Sequence, residues 1–384
     1  MKILMFTTDY LPNVGGVSAH VSGLAGAIRE AGHQVMVVAN VPGSEDNGGN
    51  GTPPVLRVSE HVRGIPVARG RRLQFLINMA RPMIKDLRHY DLLHFHTMDP
   101  LSQMLSVIWR TRPRILTNHT SMFVADSADP RRALPWRRFF SRMDGVIATS
   151  EQLAGLTAAL SSPSRHVRYI PNGVDARTFH PRVAGRPCHD RYGIRPNDGL
   201  ILCPRRLVPK NGCVRLARAM QTILQRDPTA RLLFAGDGPE RESVEAELRA
   251  AGCLGRTIFA GNVPNPEMPA LYAAADVVVV PSLIEATSIS VLEAMATGRP
   301  VVASKVGGLP ALVEHGRTGY LVRPGDEADI AARVCDLLAD RDRRARMGQL
   351  AHRRVLDSFT WDRVAARTID AYRGFLSCSR KHAN

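Results

Sequence analysis

A chain of 384 residues, 44% hydrophobic and only 5% aromatic, is long enough for two or three domains with aliphatic cores, which excludes a disordered protein. Its formal net charge of +16 at pH 7 indicates an anionic partner, for which nucleic acid, anionic lipid and a small anionic substrate are the candidates. No stretch approaches the roughly 20 consecutive apolar residues that span a bilayer.

The first predicted elements form a βαβ unit. An apolar strand is predicted at residues 2–7, and Gly15 and Gly16 follow it in a loop. Apolar residues at helical spacing predict a helix over residues 18–31, and the next strand is predicted at residues 34–39. Such a unit belongs to a parallel sheet, whose ligands bind beyond the carboxyl ends of the strands. Gly15 and Gly16 lie at such an end.

The alternation of strands and helices continues along the first half and then restarts. The polar, glycine-rich stretch at residues 43–54 is predicted to be a loop. The hydrophobic pattern lapses at residues 182–197, which we interpret as the region between two domains. Further strands are predicted at residues 92–96, 115–117, 145–149, 167–170, 200–203, 230–235, 257–260, 277–280 and 301–303. Helices of the second half are predicted at residues 212–225, 240–251, 328–338 and 361–376. Two doubly wound α/β domains facing a cleft are therefore expected.

The segment at residues 281–300 carries two glutamates, Glu285 and Glu293, separated by seven residues. The pattern predicts strand, loop and helix, with Glu285 in the loop and Glu293 in the first turns of the helix. A helix N-terminus can bind phosphate, and a carboxylate one or two turns further in can accept hydrogen bonds from sugar hydroxyls. The alternative is structural, because Ser290 and Glu293 also fit a capping box.

Two cations follow the strand that is predicted at residues 200–203. Arg205 and Lys210, in RRLVPKNG, lie at the carboxyl end of that strand. An arginine can contact two phosphate oxygens at once, and a lysine supplies a point charge. The pair therefore indicates an anionic ligand, and an ordinary surface cluster of charges is the alternative.

The excess positive charge is clustered. One group is Arg69, Arg71 and Arg72, another is Arg110, Arg112 and Arg114, and the densest is the segment Arg131–Arg142. Arginines beside tryptophan and phenylalanine in a short helix are typical of a helix at an anionic membrane surface. The alternative is an amphipathic helix with its aromatic residues in the core and its arginines in water. The sequence favours neither.

The remaining motifs favour a reduced protein of the cytoplasm. The six cysteines are scattered without a CxxC pair, so neither a zinc site nor a disulfide framework is expected. His94 and His96 point to one face of a strand, but no third metal ligand is evident, which favours a structural role. The D-x-D at residues 340–342 is predicted to be a solvated helix end or turn. The apolar run at the N-terminus is too short for a signal peptide.

Taken together, the motifs resemble those of a retaining glycosyltransferase of family 4, with the GT-B architecture. The resemblance covers roughly residues 1–375 and adds to the glutamate pair the following ordered set. Its marks are GG at 15–16, GHQV at 32–35, DLLHFHT at 91–97, TNHTS at 117–121, ATSE at 148–151, IPNGVD at 170–175, RRLVPKNG at 205–212, GDGPE at 236–240, GNVPNPEMPALYAAADVVVVPS at 261–282 and VGGLPALVEHGRTGYLV at 306–322. The family has two Rossmann-like, doubly wound parallel-sheet domains facing a cleft.

The resemblance implies a division of labour between the domains. Residues 1–190 would form the acceptor-binding domain and residues 191–360 the domain that binds the nucleotide sugar. Residues 361–384 would form a last helix that crosses back to the first domain, as in relatives.

The family assigns roles to the cations and the glycine loop. The pair that matches Arg205 and Lys210 holds the donor diphosphate and stabilises the departing nucleotide. The loop that matches Gly15 and Gly16 meets the diphosphate and the acceptor.

The family also assigns roles to a histidine and the two glutamates. His119 would contact a hydroxyl of the transferred sugar, but Thr120 stands where many relatives have aspartate, so no Asp-assisted role is expected. Glu285 would face hydroxyls of the donor sugar and stabilise positive charge at its anomeric carbon. Glu293 would bind the ribose hydroxyls of the nucleotide.

The stretch between the two glutamates departs from the family. Many relatives have Phe-Gly where this chain has Thr287-Ser288. The diphosphate contacts there use backbone N–H groups, which Ser288 and Ile289 can still supply. By the same resemblance, Gly261 and Val263 would border the base.

The expected activity is therefore metal-independent retaining transfer of a sugar from a nucleotide sugar, with UDP-N-acetylglucosamine or UDP-glucose favoured. The acceptor would be a lipid-linked, polysaccharide or small-molecule hydroxyl. No cofactor and no nucleic acid are expected, and Arg131–Arg142 is the candidate contact with an anionic membrane for a cytoplasmic, peripheral enzyme. A UDP-sugar epimerase of the same architecture and a basic nucleic-acid-binding protein are the alternatives.

Overall fold

The computed structural model describes residues 1–11, 15–39, 53–57, 89–109, 112–161 and 166–381. These residues form two compact units. The first contains the described residues up to Gly173 and the helix that begins at Trp361, and the second contains Val174–Thr360. Within the described ranges, no helix is long and apolar enough to cross a membrane.

The first unit is built on a seven-stranded parallel sheet with the strand order β3-β2-β1-β4-β5-β6-β7. In chain order its elements are β1 (Lys2–Thr7), α1 (Gly16–Glu30), β2 (Gln34–Ala39), β3 (Val55–Arg57), β4 (Leu92–Phe95), α2 (Pro100–Ile108), β5 (Arg114–Asn118), α3 (Met122–Ser127), α4 (Pro130–Phe140), β6 (Gly145–Ala148), α5 (Glu151–Leu160) and β7 (His166–Tyr169). On α1, Val21, Leu24 and Ile28 recur at helical spacing and pack in one core with Ile3 and Met5 of β1.

The second unit is built on a six-stranded parallel sheet with the strand order β10-β9-β8-β11-β12-β13. Its elements are α6 (Arg186–Tyr192), β8 (Leu200–Cys203), α7 (Cys213–Arg226), β9 (Arg231–Ala235), α8 (Arg241–Ala250), β10 (Thr257–Gly261), α9 (Met268–Ala274), β11 (Val277–Val280), α10 (Ile289–Ala296), β12 (Val301–Ser304), α11 (Leu309–Leu312), β13 (Gly319–Val322), α12 (Glu327–Ala339) and α13 (Arg341–Ser358). In β11, Val278 and Val280 enter one core cluster, and Val277 and Val279 enter the other. Both faces of the sheet are therefore covered, which is why these strands are continuous apolar runs.

The last helix, α14 (Trp361–Lys381), packs on the first unit. Two glycines let its aromatic rings approach closely. A Cβ at Gly23 of α1 would lie 2.2 Å from the ring of Trp361, and a Cβ at Gly145 of β6 would lie 2.5 Å from the ring of Phe375. The ends of the chain thus share one hydrophobic core.

The boundary between the units lies between Gly173 and Val174 and not at residues 190–191. Val174, Phe179 and Cys188 belong to a core cluster of the second unit, which draws this stretch into it. The sparse hydrophobic pattern was therefore misleading.

The predicted linker region at residues 182–197 also carries a helix, α6, that packs on the second unit. His189 of α6 forms a hydrogen bond of 3.0 Å with the carbonyl oxygen of Ala274. A Cβ at Gly185 would lie 2.6 Å from the backbone of Ala274, so the two segments are in direct contact.

Every predicted strand occurs within one residue of its predicted bounds, whereas β3 and β13 were not predicted. Residues 43–52 of the loop predicted at residues 43–54 lie outside the described residues, as do the cluster Arg69–Arg72 and Arg110.

Candidate active site

The strand order of each sheet reverses at one place, between β1 and β4 in the first unit and between β8 and β11 in the second. Loops that leave neighbouring strands in opposite directions open a crevice at the carboxyl ends of those strands. The loops after β8 and β11 carry Arg205, Lys210 and Glu285. The first helix after β1 begins at Gly16, and His96 follows β4 directly.

Backbone contacts hold the loop after β8 against the loop after β11. The amides of Leu283 and Ile284 donate to the carbonyl oxygen of Lys210 at 2.8 and 3.1 Å. Gly212 ends the first loop with φ +68°, and a Cβ there would lie 2.1 Å from the carbonyl oxygen of Pro281. Only glycine combines this conformation with so close an approach, so it sets the position of the Lys210 backbone.

A second glycine holds Glu285 in place. Gly307 has φ +54°, and a Cβ there would lie 1.6 Å from the carbonyl oxygen of Glu285. The amide of Gly308 donates to the carbonyl oxygen of Ala286 at 3.0 Å. The backbone of the loop after β11 is therefore held from both sides, by the loop after β8 and by Gly307–Gly308.

Arg205 and Glu285 form an ion pair between side chains that are 12% and 10% exposed. The same arginine donates to the amide oxygen of Asn211 at 2.6 Å, and the hydroxyl of Ser282 donates to the Glu285 carboxylate at 3.4 Å. The neighbouring Arg206 is exposed. Of the two adjacent arginines, Arg205 is thus the one that lies in the site, beside the predicted sugar-binding glutamate.

Glu293 lies in the second turn of α10, and its carboxylate accepts a hydrogen bond of 2.7 Å from the Tyr272 hydroxyl. Burial raises the pKa of Glu293 to about 7, while the hydrogen bond from Tyr272 opposes the rise. Burial and the adjacent carboxylate raise the pKa of Tyr272 well above its usual range, so this phenol stays protonated and donates. Glu293 therefore changes charge near neutral pH.

The alternative interpretation, a capping box of Ser290 and Glu293, is wrong. The N-cap of α10 is Ser288, whose hydroxyl accepts a hydrogen bond of 3.4 Å from the amide of Val291. The hydroxyl of Ser290 lies 3.5 Å from the carbonyl oxygen of Pro204, to which it donates. The Glu293 carboxylate turns toward Tyr272 instead of toward the helix start, so capping does not account for its presence.

The other predicted donor contacts lie at the start of α10 or after β10, and their roles stay predictions. Ile289 is the first residue of α10, and the hydroxyl of Thr287 is buried without a partner among the described residues. Gly261 ends β10 with φ +67°, and Val263 packs against the core.

The glycine loop of the first unit leads into α1. Gly15 is the N-cap of this helix, where it offers no side chain to the free amides of the first turn. A Cβ at Gly15 would lie 2.8 Å from the Asp9 carboxylate, and no described atom lies within 4 Å of a Cβ placed on Gly16. The Asp9 carboxylate therefore lies close to the start of the helix, and the anion-binding role of this loop stays a prediction.

Four histidines lie together at the same edge of the first sheet, and His94 is the one with two polar partners. One ring nitrogen of His94 lies 2.6 Å from the Thr117 hydroxyl, and the other lies 2.6 Å from the Tyr372 hydroxyl of α14. His94 therefore ties the sheet to the last helix, which agrees with the structural role predicted for it.

The other three histidines come from three different elements. His20 lies on α1, His96 follows β4 and His119 follows β5. Nδ1 of His20 lies 2.8 Å from the amide oxygen of Asn172, and Nδ1 of His96 lies 3.2 Å from Nε2 of His119. One ring nitrogen from each of the three lies within 4.8 Å of the others. The sequence made no third metal ligand evident beside His94 and His96, because His20 and His119 come from chain segments far away in the sequence.

Burial keeps these rings neutral. It lowers the pKa of His20 to about 4 and the pKa of His96 and of His119 well below the usual range, to which the neighbouring histidines add. The first unit thus presents neutral imidazoles where the second presents charges.

The basic helix α4 has a buried aromatic face and an exposed arginine face. Trp136, Phe139 and Phe140 are buried, and the indole of Trp136 donates to Asp126 at 3.1 Å. Four arginines of the segment point to solvent, together with the half-exposed Leu134; they are Arg131, Arg132, Arg137 and Arg138. The aromatic side chains belong to the core, so only the arginine face is offered to a partner.

The D-x-D at residues 340–342 is a helix end. Asp340 caps α13 by accepting a hydrogen bond of 2.8 Å from the amide of Arg343.

The sequence analysis missed four polar residues that complete these sites: His20, Asn172, Asn211 and Tyr272. Asn172, Asn211 and Tyr272 lie within motifs that were quoted, and His20 lies one turn after Gly16 on the helix that leaves the sheet edge. The signal that could have identified His20 was its place in the first turns of the helix that follows the carboxyl end of β1. The side-chain partners themselves follow only from the fold.

Comparison with known proteins identifies the class. Residues 188–354 match the family of glycosyl transferases group 1, and residues 14–178 match Glycosyltransferase Family 4. Over 97% of its length the chain is 31% identical to an uncharacterized glycosyltransferase of Methanocaldococcus jannaschii, 98% of which is covered. It is 28% identical, over 97% of its length and 98% of the other chain, to a GDP-mannose-dependent phosphatidylinositol monomannoside mannosyltransferase of Mycobacterium tuberculosis.

The fold agrees with these matches. The structure is similar to that of sucrose-phosphate synthase from Thermosynechococcus elongatus, with a TM-score of 0.82, 24% identity, and coverage of 98% of this chain and 99% of the other. The fold is that of a GT-B glycosyltransferase. The chain belongs to family 4 of these enzymes.

Proposed function

We propose that the protein transfers a sugar from a nucleoside diphosphate sugar to a hydroxyl group of an acceptor, with retention of configuration at the anomeric carbon. The observation that carries this proposal is the contact between Arg205 and Glu285 at the strand reversal of the second sheet, with Lys210 on the same loop as Arg205. Cations beside a carboxylate suit a ligand that combines a diphosphate with sugar hydroxyls. The second unit would bind the donor and the first unit the acceptor.

Donor binding would exchange the partners of this ion pair. Arg205 would turn from Glu285 to a diphosphate oxygen, and Glu285 would accept hydrogen bonds from hydroxyls of the sugar. Arg205 and Lys210 would then stabilise negative charge on the departing nucleotide, and Glu285 would stabilise positive charge at the anomeric carbon. This scheme needs no metal ion at the diphosphate.

Retention would follow from attack on the face that the nucleotide leaves. The bond between the anomeric carbon and the phosphate oxygen breaks as the acceptor oxygen bonds to that carbon. The departing phosphate oxygen takes the acceptor's proton. No side-chain nucleophile takes part, so Glu285 acts through its charge.

Glu293 would bind the ribose of the nucleotide. The Tyr272 hydroxyl holds one oxygen of its carboxylate, and ribose hydroxyls would donate to the carboxylate. Isothermal calorimetry on Glu293→Ala tests this role, because the variant should bind the nucleotide more weakly. Unchanged nucleotide affinity would remove Glu293 from the donor site.

UDP-N-acetylglucosamine and UDP-glucose remain the predicted donors, with GDP-mannose as the competitor that the name of the mycobacterial relative suggests. The acceptor would be a lipid-linked, polysaccharide or small-molecule hydroxyl. If the acceptor is lipid-linked, the exposed arginines of α4 would contact the anionic cytoplasmic face of the membrane.

A panel of these nucleotide sugars, screened for thermal stabilisation and then for turnover, tests the proposed function. A donor that binds the folded state should raise the melting temperature with its concentration. The donor without acceptor should persist apart from slow hydrolysis. Conversion to an epimer without acceptor would identify an epimerase instead, and stabilisation by none of the sugars would overturn the proposal.

A further inference from the structure

We propose that His20, His96 and His119 form a binding site for one divalent transition-metal ion of the zinc type in the first unit. The three side chains converge from α1, the end of β4 and the end of β5. This inference goes beyond the proposed glycosyl transfer and does not rest on it, because the diphosphate chemistry assigned to the second unit uses no metal.

The distances among the rings are close to those of a three-histidine site. Three metal–nitrogen bonds of about 2.1 Å at tetrahedral angles place the nitrogens about 3.4 Å apart. Nδ1 of His96 already lies 3.2 Å from Nε2 of His119, and one nitrogen of each of the three rings lies within 4.8 Å of the others. Metal binding would require ring rotations that close the remaining distance.

Two ring nitrogens of this cluster are buried without a partner. They are Nε2 of His20 and Nε2 of His96, and each residue is only 2% exposed. Buried polar atoms without a partner are rare, because they lose their hydrogen bonds to water and form no other hydrogen bond. His94 differs, since both of its nitrogens contact hydroxyl groups. The unpartnered Nε2 of His20 is thus left available for a metal ion, whereas His96 would bind the ion through Nδ1, the nitrogen that faces His119.

The surroundings of His20 resemble the second shell of a metal site. Its Nδ1 lies 2.8 Å from the side-chain oxygen of Asn172, and an amide oxygen can only accept. Nδ1 therefore carries the proton, and Nε2 carries the lone pair. A histidine ligand is commonly oriented in this way, through a hydrogen bond at its other nitrogen.

The ligand set also suggests an open coordination position. Three neutral imidazoles leave the charge of a divalent ion uncompensated and a fourth position free for an oxygen ligand. His119 is the least buried of the three residues. Water or an anionic oxygen would therefore approach from the side of His119.

Cobalt and zinc titrations of the full chain, freed of any polyhistidine tag and treated with chelator, test the site. We expect one Co²⁺ per chain, with the visible d–d bands of four-coordinate cobalt, and its displacement by Zn²⁺. Zinc should also raise the melting temperature of the protein. No nucleotide sugar is present, so the result is independent of the proposed transferase function.

The variants His20→Asn and His96→Asn should each lower the cobalt affinity by at least about 100-fold, since loss of a second-shell partner alone costs 10–100-fold. Asparagine at position 20 can still donate to Asn172 but lacks Nε2. The matched control is His352→Asn in the second unit, where the native ring contacts the Ala296 carbonyl at 2.7 Å. Its cobalt affinity should equal that of the wild type.

Circular dichroism identifies variants that fail to fold. If His20→Asn or His96→Asn fails to fold, His119→Asn takes its place in the comparison. The proposal would be overturned if two folded variants of these three histidines bound cobalt with the affinity of the wild type. The absence of stoichiometric binding to the wild type would overturn it as well.

Discussion

The two units place their polar residues at the same point of a parallel sheet, the reversal of strand order, but they do so with opposite chemistry. In the second unit, Arg205 and Glu285 form a buried ion pair beside Lys210. In the first unit, four imidazoles lie together, and burial lowers the pKa of each. The fold sets where a ligand binds, and the loop residues set what binds there.

The two sites also differ in whether their polar groups have partners within the protein. The charged site is self-neutralised, because Arg205 and Glu285 satisfy each other until a ligand replaces one of them. The histidine site is uncharged but retains unpartnered nitrogens on His20 and His96. Charge should therefore dominate the mutational response of the second unit, and hydrogen bonding that of the first.

The largest expected effect is on stability at the ion pair. Arg205→Ala leaves the Glu285 carboxylate buried without its partner and should lower the free energy of unfolding by about 3–5 kcal/mol. The double variant Arg205→Met, Glu285→Gln removes both charges and should recover most of that loss without recovering activity. Urea denaturation measures both, with the exposed Arg206→Ala as control. Equal losses in the single and the double variant would contradict a charge-dominated site.

The second effect is on turnover. Lys210→Ala should reduce kcat about 10²–10³-fold, in line with the loss of one electrostatic contact to a departing group. Steady-state kinetics with the donor found in the nucleotide-sugar panel measures the change, and Arg215→Ala on the neighbouring helix α7 is the control. Turnover close to that of the wild type would remove Lys210 from the site.

The third effect is a pH dependence that originates at Glu293. Its pKa is raised from 4.5 to about 7 in the fold, so its contribution to stability is fully present below pH 4.5. As the pH rises toward 7, the unfolded state releases its proton first and the fold loses at most about 3 kcal/mol relative to a neutral side chain. Denaturation from pH 4 to 8 should show this loss in the wild type but not in Glu293→Gln. The exposed Glu242→Gln should keep the wild-type profile; identical profiles in all three proteins would contradict the raised pKa.

The fourth effect tests the uncharged site of the first unit. Tyr372→Phe removes the hydroxyl that lies 2.6 Å from the His94 ring and should cost about 1–3 kcal/mol, the penalty of one unpartnered buried polar group. The loss should be smaller than that of Arg205→Ala, because no charge is left behind. Chemical denaturation compares the two variants directly. If Tyr372→Phe lowers the free energy of unfolding as much as Arg205→Ala does, the contrast between a charged and an uncharged site is contradicted.

The smallest effect per residue is expected at the surface of α4. Each exposed arginine should contribute about 1 kcal/mol to binding of anionic vesicles in low salt. Arg131→Gln with Arg132→Gln should therefore weaken co-sedimentation with phosphatidylserine vesicles, whereas Arg346→Gln with Arg353→Gln on α13 should not. If the wild type ignores such vesicles, the membrane proposal fails and a soluble acceptor is favoured.

Local sequence patterns were sufficient for much of the fold. Mostly apolar runs of three to six residues predicted each strand from residue 92 to 303 within one residue. A short strand such as β3 carries too little pattern of its own and is recognised only by pairing with β2. The stretch at residues 182–197 was assigned to a linker because its few apolar residues, such as Cys188 and Ile194, become core residues only in their tertiary context.

The sequence by itself determined the family, the order of the motifs and the position of Arg205, Lys210, Glu285 and Glu293 on loops and a helix that follow strands. Spacing along the chain and the parallel sheet suffice for that. The tertiary structure alone decided that Arg205 pairs with Glu285, that Tyr272 holds Glu293, and that His20 and His119 join His96. These partners lie tens of residues apart in the sequence, and only the tertiary packing brings their side chains together.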